Sequence, residues 1–254
     1  MALFTDGPPC SIEDLSAQDS QLLDVASSEG INVTQKLELT HTEVGTELYR
    51  LLNRMGPTGL LVWASVRPNL AGVVVTPPLR QWYMFRTLEA FYADAYNSQL
   101  NDRYAGKRDQ FHELAQRAYS RLIAGGVGMV TGPIPQPPKP TLSAAPGALP
   151  DNLYYATMTW VNRSSEEGAP APLSSIMTSA STFALQPGET PLGVSGWNVY
   201  AGTDAELLVR QNESQLAIGD LWVQPNCIAT TGRKAGHGQA PTYLQPVPRV
   251  LQRG

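Results

Sequence analysis

The chain has 254 residues and a formal net charge of −4; 42% of the residues are hydrophobic and 16% are charged. This length accommodates one or two domains, each able to bury its own core. The acidic balance argues against a general nucleic-acid-binding surface, which needs an excess of Lys and Arg.

Charged residues are unevenly distributed along the sequence. Residues 1–30 contain six acidic residues and no Lys or Arg, whereas residues 231–254 contain four basic residues and no acid. Opposite charge at the two ends fits head-to-tail docking of neighbouring copies, and it fits equally well two solvated ends.

Cysteine content and the apolar runs bound the cellular context. Two cysteines, Cys10 and Cys227, are too few for a disulfide scaffold in a chain of this length. The first residues lack a basic segment and an apolar run, so no signal peptide is expected. The longest apolar run, residues 60–64, is too short to span a bilayer. We therefore expect a soluble protein made in the cytoplasm, with no membrane partner.

The first half of the chain has the periodicity of helices. Ser11, followed by two acidic residues, predicts a helix N-terminus, and Gly30 predicts the end of that helix. A second helix is predicted from Thr34 to Met55, because Gly56–Pro57 stops it. Its inward positions are Leu37, His41, Val44, Leu48, Leu51 and Met55.

Two further helices are predicted after residues 57–75, which fit either a short strand pair or a projecting loop. The third begins at Thr76–Pro77–Pro78, since proline at the first helical positions loses no needed N–H, and it is dense in aromatic residues. The fourth runs from about Asp102 to Gly125–Gly126. Together they predict a small helical bundle with the aromatic helix in its core. An apolar helix of this kind also favours burial against a neighbouring subunit, and its candidate contact residues are Trp82, Phe85, Tyr92 and Tyr96.

A proline-rich segment separates the two halves. Residues 133–140 contain five prolines in eight positions, which remove backbone donors and fix φ, so the segment can continue neither a helix nor a central strand. It is predicted to be an extended spacer. We assign the domains as follows: a helical domain at 1–132, a proline-rich linker at 133–140, a β-sandwich at 141–229 and an extended basic tail at 230–254.

The second half has the alternation of strands. In residues 153–161, Tyr154, Ala156, Met158 and Trp160 share one face. Further strands are predicted at 173–184, 195–201, 206–211 and 215–223. Short strands at this spacing predict an antiparallel β-sandwich of the immunoglobulin or fibronectin type III kind, and the lack of a cysteine pair favours the fibronectin version. The fold class predicted for the whole chain is therefore α+β in two domains.

Catalytic and metal-binding patterns are weak. His41, His112 and His237 are far apart and have no second ligand type at metal spacing. The glycines at 125–128 lack the Lys-Ser/Thr of a phosphate loop. Glu166–Glu167 lies in a predicted turn and is interpreted as a solvated pair. We predict no enzyme activity, no metal and no cofactor.

Several segments resemble a known protein family. Val75–Trp82 and Asp94–Tyr104 are similar to the helical head-to-tail adaptor (connector) proteins of tailed bacteriophages and their prophages. Thr157–Asn162, Glu166–Pro170 and Gly196–Gly202 resemble the fibronectin-like modules common in phage structural proteins.

This resemblance implies a structural virion protein rather than an enzyme. An adaptor of this kind forms a homo-oligomeric ring, typically dodecameric, between the portal protein and the downstream neck or tail-terminator protein. Genomic DNA passes through the lumen without sequence-specific binding, and an acidic chain suits that passage because it does not retain phosphates. The expected location is the neck of the virion, after synthesis in the bacterial cytoplasm of the host.

Adaptors usually insert a terminal segment into the portal, and the basic tail of this chain is the candidate. Such a segment is expected to be disordered in the free protein. Its candidate partner-binding residues, for the portal or a neighbouring subunit, are Arg233, Lys234, Tyr243, Leu244, Arg249, Leu251 and Arg253.

An alternative function belongs to a different class. A fibronectin-like module on a helical base also fits a tail or baseplate decoration protein that binds carbohydrate on the host surface. Tyr154, Trp197, Tyr200 and Trp222 would then stack on sugars, unless they fill the sandwich core.

Overall fold

Helices form the first half of the chain and antiparallel strands most of the second, so the architecture is mixed α+β, as predicted. The computed structural model describes residues 2–54, 69–99 and 102–245. The predicted strand pair or loop at 57–75 lies outside these ranges up to residue 68. None of the described helices has the length and apolarity needed to cross a bilayer.

The described chain divides into two compact units with interleaved sequence ranges. The helical unit contains residues 7–131 and 241–245, and the β unit contains residues 2–6 and 132–240. This division differs from the predicted boundaries. Residues 2–6, at the N-terminus, belong to the β unit, and residues 241–245, near the C-terminus, belong to the helical unit.

The helical unit contains five α-helices within the described residues. Short 3-10 turns at Leu70–Gly72 and Asp102–Tyr104 precede the last two of them. The helices are α1 (Ile12–Gln18), α2 (Leu22–Glu29), α3 (Val33–Arg54), α4 (Pro77–Gln99) and α5 (Ala105–Gly125).

The single helix predicted from Ser11 to Gly30 is two helices. Its N-terminus is confirmed: the Asp14 amide donates to Ser11 Oγ at 3.3 Å, and the Ser11 amide donates to the Asp14 carboxylate at 2.9 Å. Gly30 also ends α2 in the left-handed region as predicted, at φ 67°. The break lies at Asp19, whose extended backbone (φ −141°, ψ 100°) ends α1, and whose carboxylate accepts a hydrogen bond from the Gln21 amide.

Aromatic side chains fill the core of the helical unit, as the sequence predicted. Tyr83 and Phe91 of α4 are fully buried, and the ring of Tyr92 stacks on that of Phe111 in α5, with centroids 5.6 Å apart. Burial of each such side chain stabilises the fold by about 1.5–3 kcal/mol. The α4–α5 pair thereby supplies much of the buried core of this unit.

A small ribbon brings the C-terminal segment back to the helical unit. Strand β1 (Val127–Met129) pairs antiparallel with β9 (Thr242–Leu244), and the Gln245 side-chain amide donates to the Ala124 carbonyl at 3.1 Å. The predicted free tail is therefore corrected up to residue 245. The backbone of β9 forms hydrogen bonds with β1, which follows the end of α5. A free tail would not make these bonds.

Seven strands form two sheets in the described part of the β unit. One sheet has the order β2-β5-β8 and the other the order β4-β3-β6-β7, and every pairing in them is antiparallel. The predicted strand at 173–184 is two strands, because Ala180 adopts a positive φ of 46° between them. The strands are β2 (Thr141–Ala145), β3 (Asn152–Asn162), β4 (Ser174–Thr178), β5 (Thr182–Gln186), β6 (Val194–Gly202), β7 (Val209–Arg210) and β8 (Trp222–Val223).

One hydrophobic core joins these two sheets. The four β3 residues predicted to share a face are all buried in it, so that prediction is confirmed. Trp160 of β3 lies opposite Trp197 of β6 in the ladder, and Phe183 and Leu185 of β5 contribute from the other sheet. This core fixes the register of β3, since a slip by one residue would turn its whole apolar face away from the core.

The proline-rich segment is not a free spacer. Residues 133–140 are extended and lack regular secondary structure, but Ile134 is buried in the core of the β unit. The Ile134 amide donates to Gln239 Oε1 at 2.8 Å, and the Gln136 amide donates to the Asp6 carboxylate at 3.0 Å. The predicted linker role is corrected, because two of its three non-proline amides and one apolar side chain tie the segment to this unit.

Gly126 offers a test of the β1–β9 closure. Its φ is +91°, and an added Cβ would lie 2.8 Å from the Leu244 carbonyl oxygen. We expect Gly126→Ala to lower the free energy of unfolding by about 2 kcal/mol, through backbone strain and loss of β9 pairing. Denaturant unfolding of the full chain would measure this.

The neighbouring Gly125 is the matched control. It is exposed, ends α5, and has open space where a Cβ would lie. We expect Gly125→Ala to stay within about 0.5 kcal/mol of the wild type. Equal effects of the two substitutions would contradict the closure.

Candidate partner-binding surfaces

Three of the aromatic residues predicted to contact partners lie inside the helical unit. Trp82, Phe85 and Tyr92 are buried in its own core, so the core interpretation of α4 holds and these side chains are not available to a partner. Tyr96 is half-buried, and the guanidinium of Arg108 lies 4.6 Å from the centroid of its ring. The sequence could not separate these outcomes, because core and interface positions need the same apolar residues.

The basic pair predicted for partner binding is engaged in the β unit. The Arg210 amide donates to the Arg233 carbonyl at 2.9 Å, and Lys234 forms a β-bridge with Val209. The Arg233 guanidinium lies 3.3 Å from the Glu167 carboxylate. The side chains of both basic residues are nonetheless exposed, so they remain candidates for partner contact.

The apolar pair of the predicted tail lies in β9. Tyr243 is 50% exposed and Leu244 is partly buried. Of the tail residues named as candidates, Arg249, Leu251 and Arg253 lie outside the described residues. Tyr243 is thus the described tail residue that offers the most apolar surface to a partner.

The interpretation of Glu166–Glu167 as a solvated pair is wrong for Glu167. This residue is only 8% exposed, and its carboxylate accepts hydrogen bonds from the Tyr200 hydroxyl, at 2.9 and 3.0 Å, and from Asn198 Nδ2. Burial, with the nearby Glu167 charge adding to it, raises the pKa of Tyr200 to about 12. A buried carboxylate must be paired, and the groups that donate to Glu167 come from β6. In the sequence, the turn residues around Glu167 gave no indication of these donors.

The aromatic residues proposed for sugar stacking are mostly enclosed. Tyr154 and Trp197 are buried in the core of the β unit, and Tyr200 is buried against Glu167. Trp222 is partly buried and packs on the same core. A stacking platform needs an exposed ring face, so these side chains do not provide one in this conformation.

Asp19 is a buried anchor in the helical unit. It is 4% exposed, and its carboxylate accepts hydrogen bonds from the Tyr92 hydroxyl of α4 and from Lys107 Nζ of α5, the latter at 3.0 Å. Burial acts to raise the pKa of the Asp19 carboxyl, but these hydrogen bonds outweigh it and hold the pKa below its ordinary value of 3.8. The α1–α2 corner is thereby attached to both helices of the central pair.

Beside this anchor lies a cleft of about 370 Å³ between α2 and the start of α5. Asp24 lies on one wall, and Arg103 and Lys107 lie on the other. Its charges are mixed, and Lys107 is committed to Asp19. Among the residues that the structure describes, no group of three His, Cys, Asp or Glu side chains could hold a metal ion.

The outward face of α3 carries a surface that the sequence analysis missed. We call it the outer strip of α3; its two large apolar members, Leu39 and Tyr49, are 56% and 59% exposed. It lies opposite the buried positions of this helix, such as Val44 and Leu48. In the sequence, this surface is indicated by uncharged residues that recur at alternating spacings of four and three positions. The strip consists of Gln35, Leu39, Thr42, Thr46, Tyr49 and Asn53, all exposed.

Comparison with known proteins gives no relative for this chain. No protein-family model matches it, and no curated protein or solved structure does either. The likeness to phage adaptors therefore rests on the sequence segments alone.

Asp19 makes the helical unit less stable as the pH falls into the acid range. A carboxyl whose pKa is lowered on folding contributes stability that is complete above its unfolded pKa and is lost as the pH falls through the folded pKa. We expect Asp19→Asn to cost about 2 kcal/mol at pH 7, and the gap to wild type to narrow below pH 3.8. Thermal unfolding at pH 7 and at lower pH would measure it.

Asp24 supplies the control for this experiment, since it is exposed on the neighbouring helix and none of the described hydrogen bonds or ion pairs involves its side chain. We expect Asp24→Asn to unfold at the same temperature as the wild type at both pH values. A gap between Asp19→Asn and wild type that is constant with pH would contradict the assignment.

The two adjacent glutamates of the β unit should differ sharply. Glu167→Ala removes the acceptor of Tyr200 and Asn198 from a buried site, so we expect a loss of about 3 kcal/mol. Glu166 is exposed, and its removal should cost less than about 1 kcal/mol. Urea unfolding of both variants decides the matter, and a small effect at both positions would show that the Glu167 network does not stabilise the fold.

Proposed function

We propose that the chain is a structural virion protein, a head-to-tail adaptor that forms a ring between the portal and the neck or tail of a tailed bacteriophage. The proposal includes a fibronectin-like sandwich as its second module. The observation that carries it is the convergence in space of sequence segments that resemble phage structural proteins.

In the helical unit, the adaptor-like segments belong to its central pair of helices. Residues 75–82 contain the N-terminus of α4, and residues 94–104 contain its end and the turn that leads to α5. The Arg80 side chain, within the first segment, bonds the Asp14 carboxylate at 2.7 Å and the Pro9 carbonyl at 3.2 Å. Arg80 thus ties the N-terminus of α4 to α1 and to the segment before it.

In the β unit, three separate fibronectin-like segments meet on one sheet. Trp160 and Trp197 are ladder partners, and Glu167 of the middle segment reaches Tyr200 of the last. Two antiparallel sheets around one core agree with a fibronectin type III sandwich. This agreement supports the finer fold assignment.

The electrostatics of the helical unit suit a channel through which DNA passes. Most of its described Lys and Arg side chains lie within ion-pair distance of an acid of the same unit, which leaves little unpaired positive surface to hold phosphates. The pairs are Lys36–Asp94, Arg50–Glu47, Arg80–Asp14, Arg86–Glu43, Arg86–Glu89, Lys107–Asp19, Arg108–Asp109 and Arg117–Glu113.

The alternative, a decoration protein that binds carbohydrate, is less well supported. Three of the four aromatic residues on which it depended are buried in the β unit, and Trp222 is partly buried. A glycan array with the full chain would reopen it if a specific sugar bound.

The adaptor proposal predicts that the genome encoding this chain also encodes a portal protein, and that portal is the partner to test. Mixed with assembled portal, the full chain should give a complex with a ring of copies bound, visible by mass photometry and electron microscopy. A portal from an unrelated phage is the control. Failure to bind the cognate portal, together with absence of the chain from purified virions by mass spectrometry, would overturn the proposal.

The predicted portal anchor needs a truncation that respects the fold. Ending the chain after Ala240 would remove β9, so its effect would mix folding with binding. Ending it after Gln245 keeps β9 and removes residues 246–254 alone. We expect this shorter chain to unfold like wild type and to bind portal at least about tenfold more weakly, a loss of about 1.4 kcal/mol. Unchanged binding would refute the anchor role of these residues.

A further inference from the structure

One edge of the four-stranded sheet in the β unit brings two arginines together. Strand β7 is the last strand in the order of this sheet, and its Val209 forms an antiparallel bridge with Lys234. By the same register Arg210 lies directly opposite Arg233, and the Arg210 amide donates to the Arg233 carbonyl at 2.9 Å. Residues directly opposite each other in an antiparallel pair share one face, with Cβ atoms about 4.5–5.5 Å apart. The two arginine side chains therefore start from neighbouring points on the same face.

That face is the one turned away from the core of the β unit. Arg210 is the ladder partner of Tyr200, and because the residues on either side of Tyr200 belong to the core, Tyr200 and Arg210 point away from it. The Tyr200 hydroxyl donates to the Glu167 carboxylate, and the Arg233 guanidinium lies 3.3 Å from the same carboxylate. Burial and the Glu167 charge raise the pKa of Tyr200 to about 12. The positive charges of Arg233 and Arg210 act in the opposite direction, so both guanidinium groups lie near this hydroxyl.

The charges on this face do not balance. Glu167 accepts hydrogen bonds from Tyr200 and Asn198, and its ion pair with Arg233 neutralises that guanidinium. Among the described residues, no ion pair includes Arg210, and its buried Nε has no hydrogen-bond partner. Like charges directly opposite each other in a ladder are destabilising, and a buried donor that lacks an acceptor costs free energy. Two guanidinium groups beside one carboxylate leave one positive charge uncompensated.

We propose that Arg210 and Arg233 form a binding site for a single carboxylate group, presented by an acidic side chain of a partner protein. One carboxylate carries the one negative charge that this face lacks, and guanidinium groups hold both of its oxygens through parallel N–H bonds. The Arg233 side chain is 62% exposed, so a partner reaches the pair from solvent. A nucleic-acid backbone would need a row of Lys and Arg side chains along its phosphates, whereas one of these two arginines is already paired. The site lies within the β unit and does not rest on the adaptor proposal.

Glu167 positions Arg233 for such a ligand without consuming all of its donors. A guanidinium group has five N–H donors in a planar fork, and the ion pair with Glu167 is made by Nη2 of Arg233. The other donors of Arg233 and those of Arg210 are available to the incoming carboxylate. Because the buried Glu167 holds the Arg233 side chain in one orientation, binding loses less side-chain entropy than a free surface arginine would.

The first experiment titrates the isotope-labelled full chain, followed by NMR, with two peptides that differ in one group. The probes are acetyl-Gly-Glu-Gly-amide and acetyl-Gly-Gln-Gly-amide, at constant ionic strength because exposed charges are screened by salt. We expect the Nε–H signal of Arg210 to shift saturably with the Glu peptide and not with the Gln peptide. Equal responses to the two peptides, or no response to either, would overturn the proposal. Inorganic phosphate is the third probe, and tighter binding of phosphate than of the Glu peptide would overturn the assignment to a carboxylate.

A second experiment assigns the binding to these residues, with the Arg233 amide signal as its readout. Arg210→Gln removes the uncompensated charge and leaves the bonds of Glu167 in place, so we expect the variant to fold and to bind the Glu peptide at least about tenfold more weakly. Arg163→Gln removes the same charge from the exposed turn after β3 and should leave binding unchanged. Unchanged binding by Arg210→Gln, or an equal loss in both variants, would overturn the site. The peptide comparison on the wild-type chain is decisive even if Arg210→Gln does not fold.

Discussion

The buried carboxylate of Asp19 is the interaction on which the helical unit depends. It ends α1, accepts the Gln21 amide ahead of α2, and bonds Tyr92 and Lys107 of the central helices. Burial alone would make an ionised carboxylate unfavourable by several kcal/mol, so the site is stable only when all of these donors are in place. The α1–α2 corner and the α4–α5 pair must therefore form together, which makes the unit cooperative.

The β unit solves the same problem with a different geometry. Glu167 lies beside β3 and reaches across it to Tyr200 and Asn198 of β6, while Arg233 approaches from the C-terminal side. The carboxylate thus joins the turn after β3, the central strand β6 and residues near the end of this unit. In both units a buried carboxylate accepts hydrogen bonds from segments that are far apart in sequence. Each carboxylate lies where the backbone is irregular, so these bonds hold a part of the chain that regular secondary structure does not.

Local chemistry explains which parts of this fold could be predicted. Ser11, Gly30 and the prolines at 77–78 act through their immediate neighbours, so the corresponding helix ends follow from the sequence. The return of β9 to β1 does not, because it depends on close approach at Gly126 over more than a hundred residues of chain. The split at Asp19 was missed for the same reason, since Tyr92 and Lys107 act from a distance. Candidate contact residues were the least predictable, because apolar residues mark a core and an interface alike.

Helix α3 shows how that ambiguity is resolved once the structure fixes one face. The inward positions, Leu37 and Val44 among them, are buried, so the apolar residues on the opposite face have no part in this core. Leu39 and Tyr49 expose most of their surface to water, at a cost of about 25 cal/mol for each Å² of apolar area. A folded chain gains nothing from such exposure by itself. Because this surface has no part in the core, substitutions on it test contact with partners separately from folding.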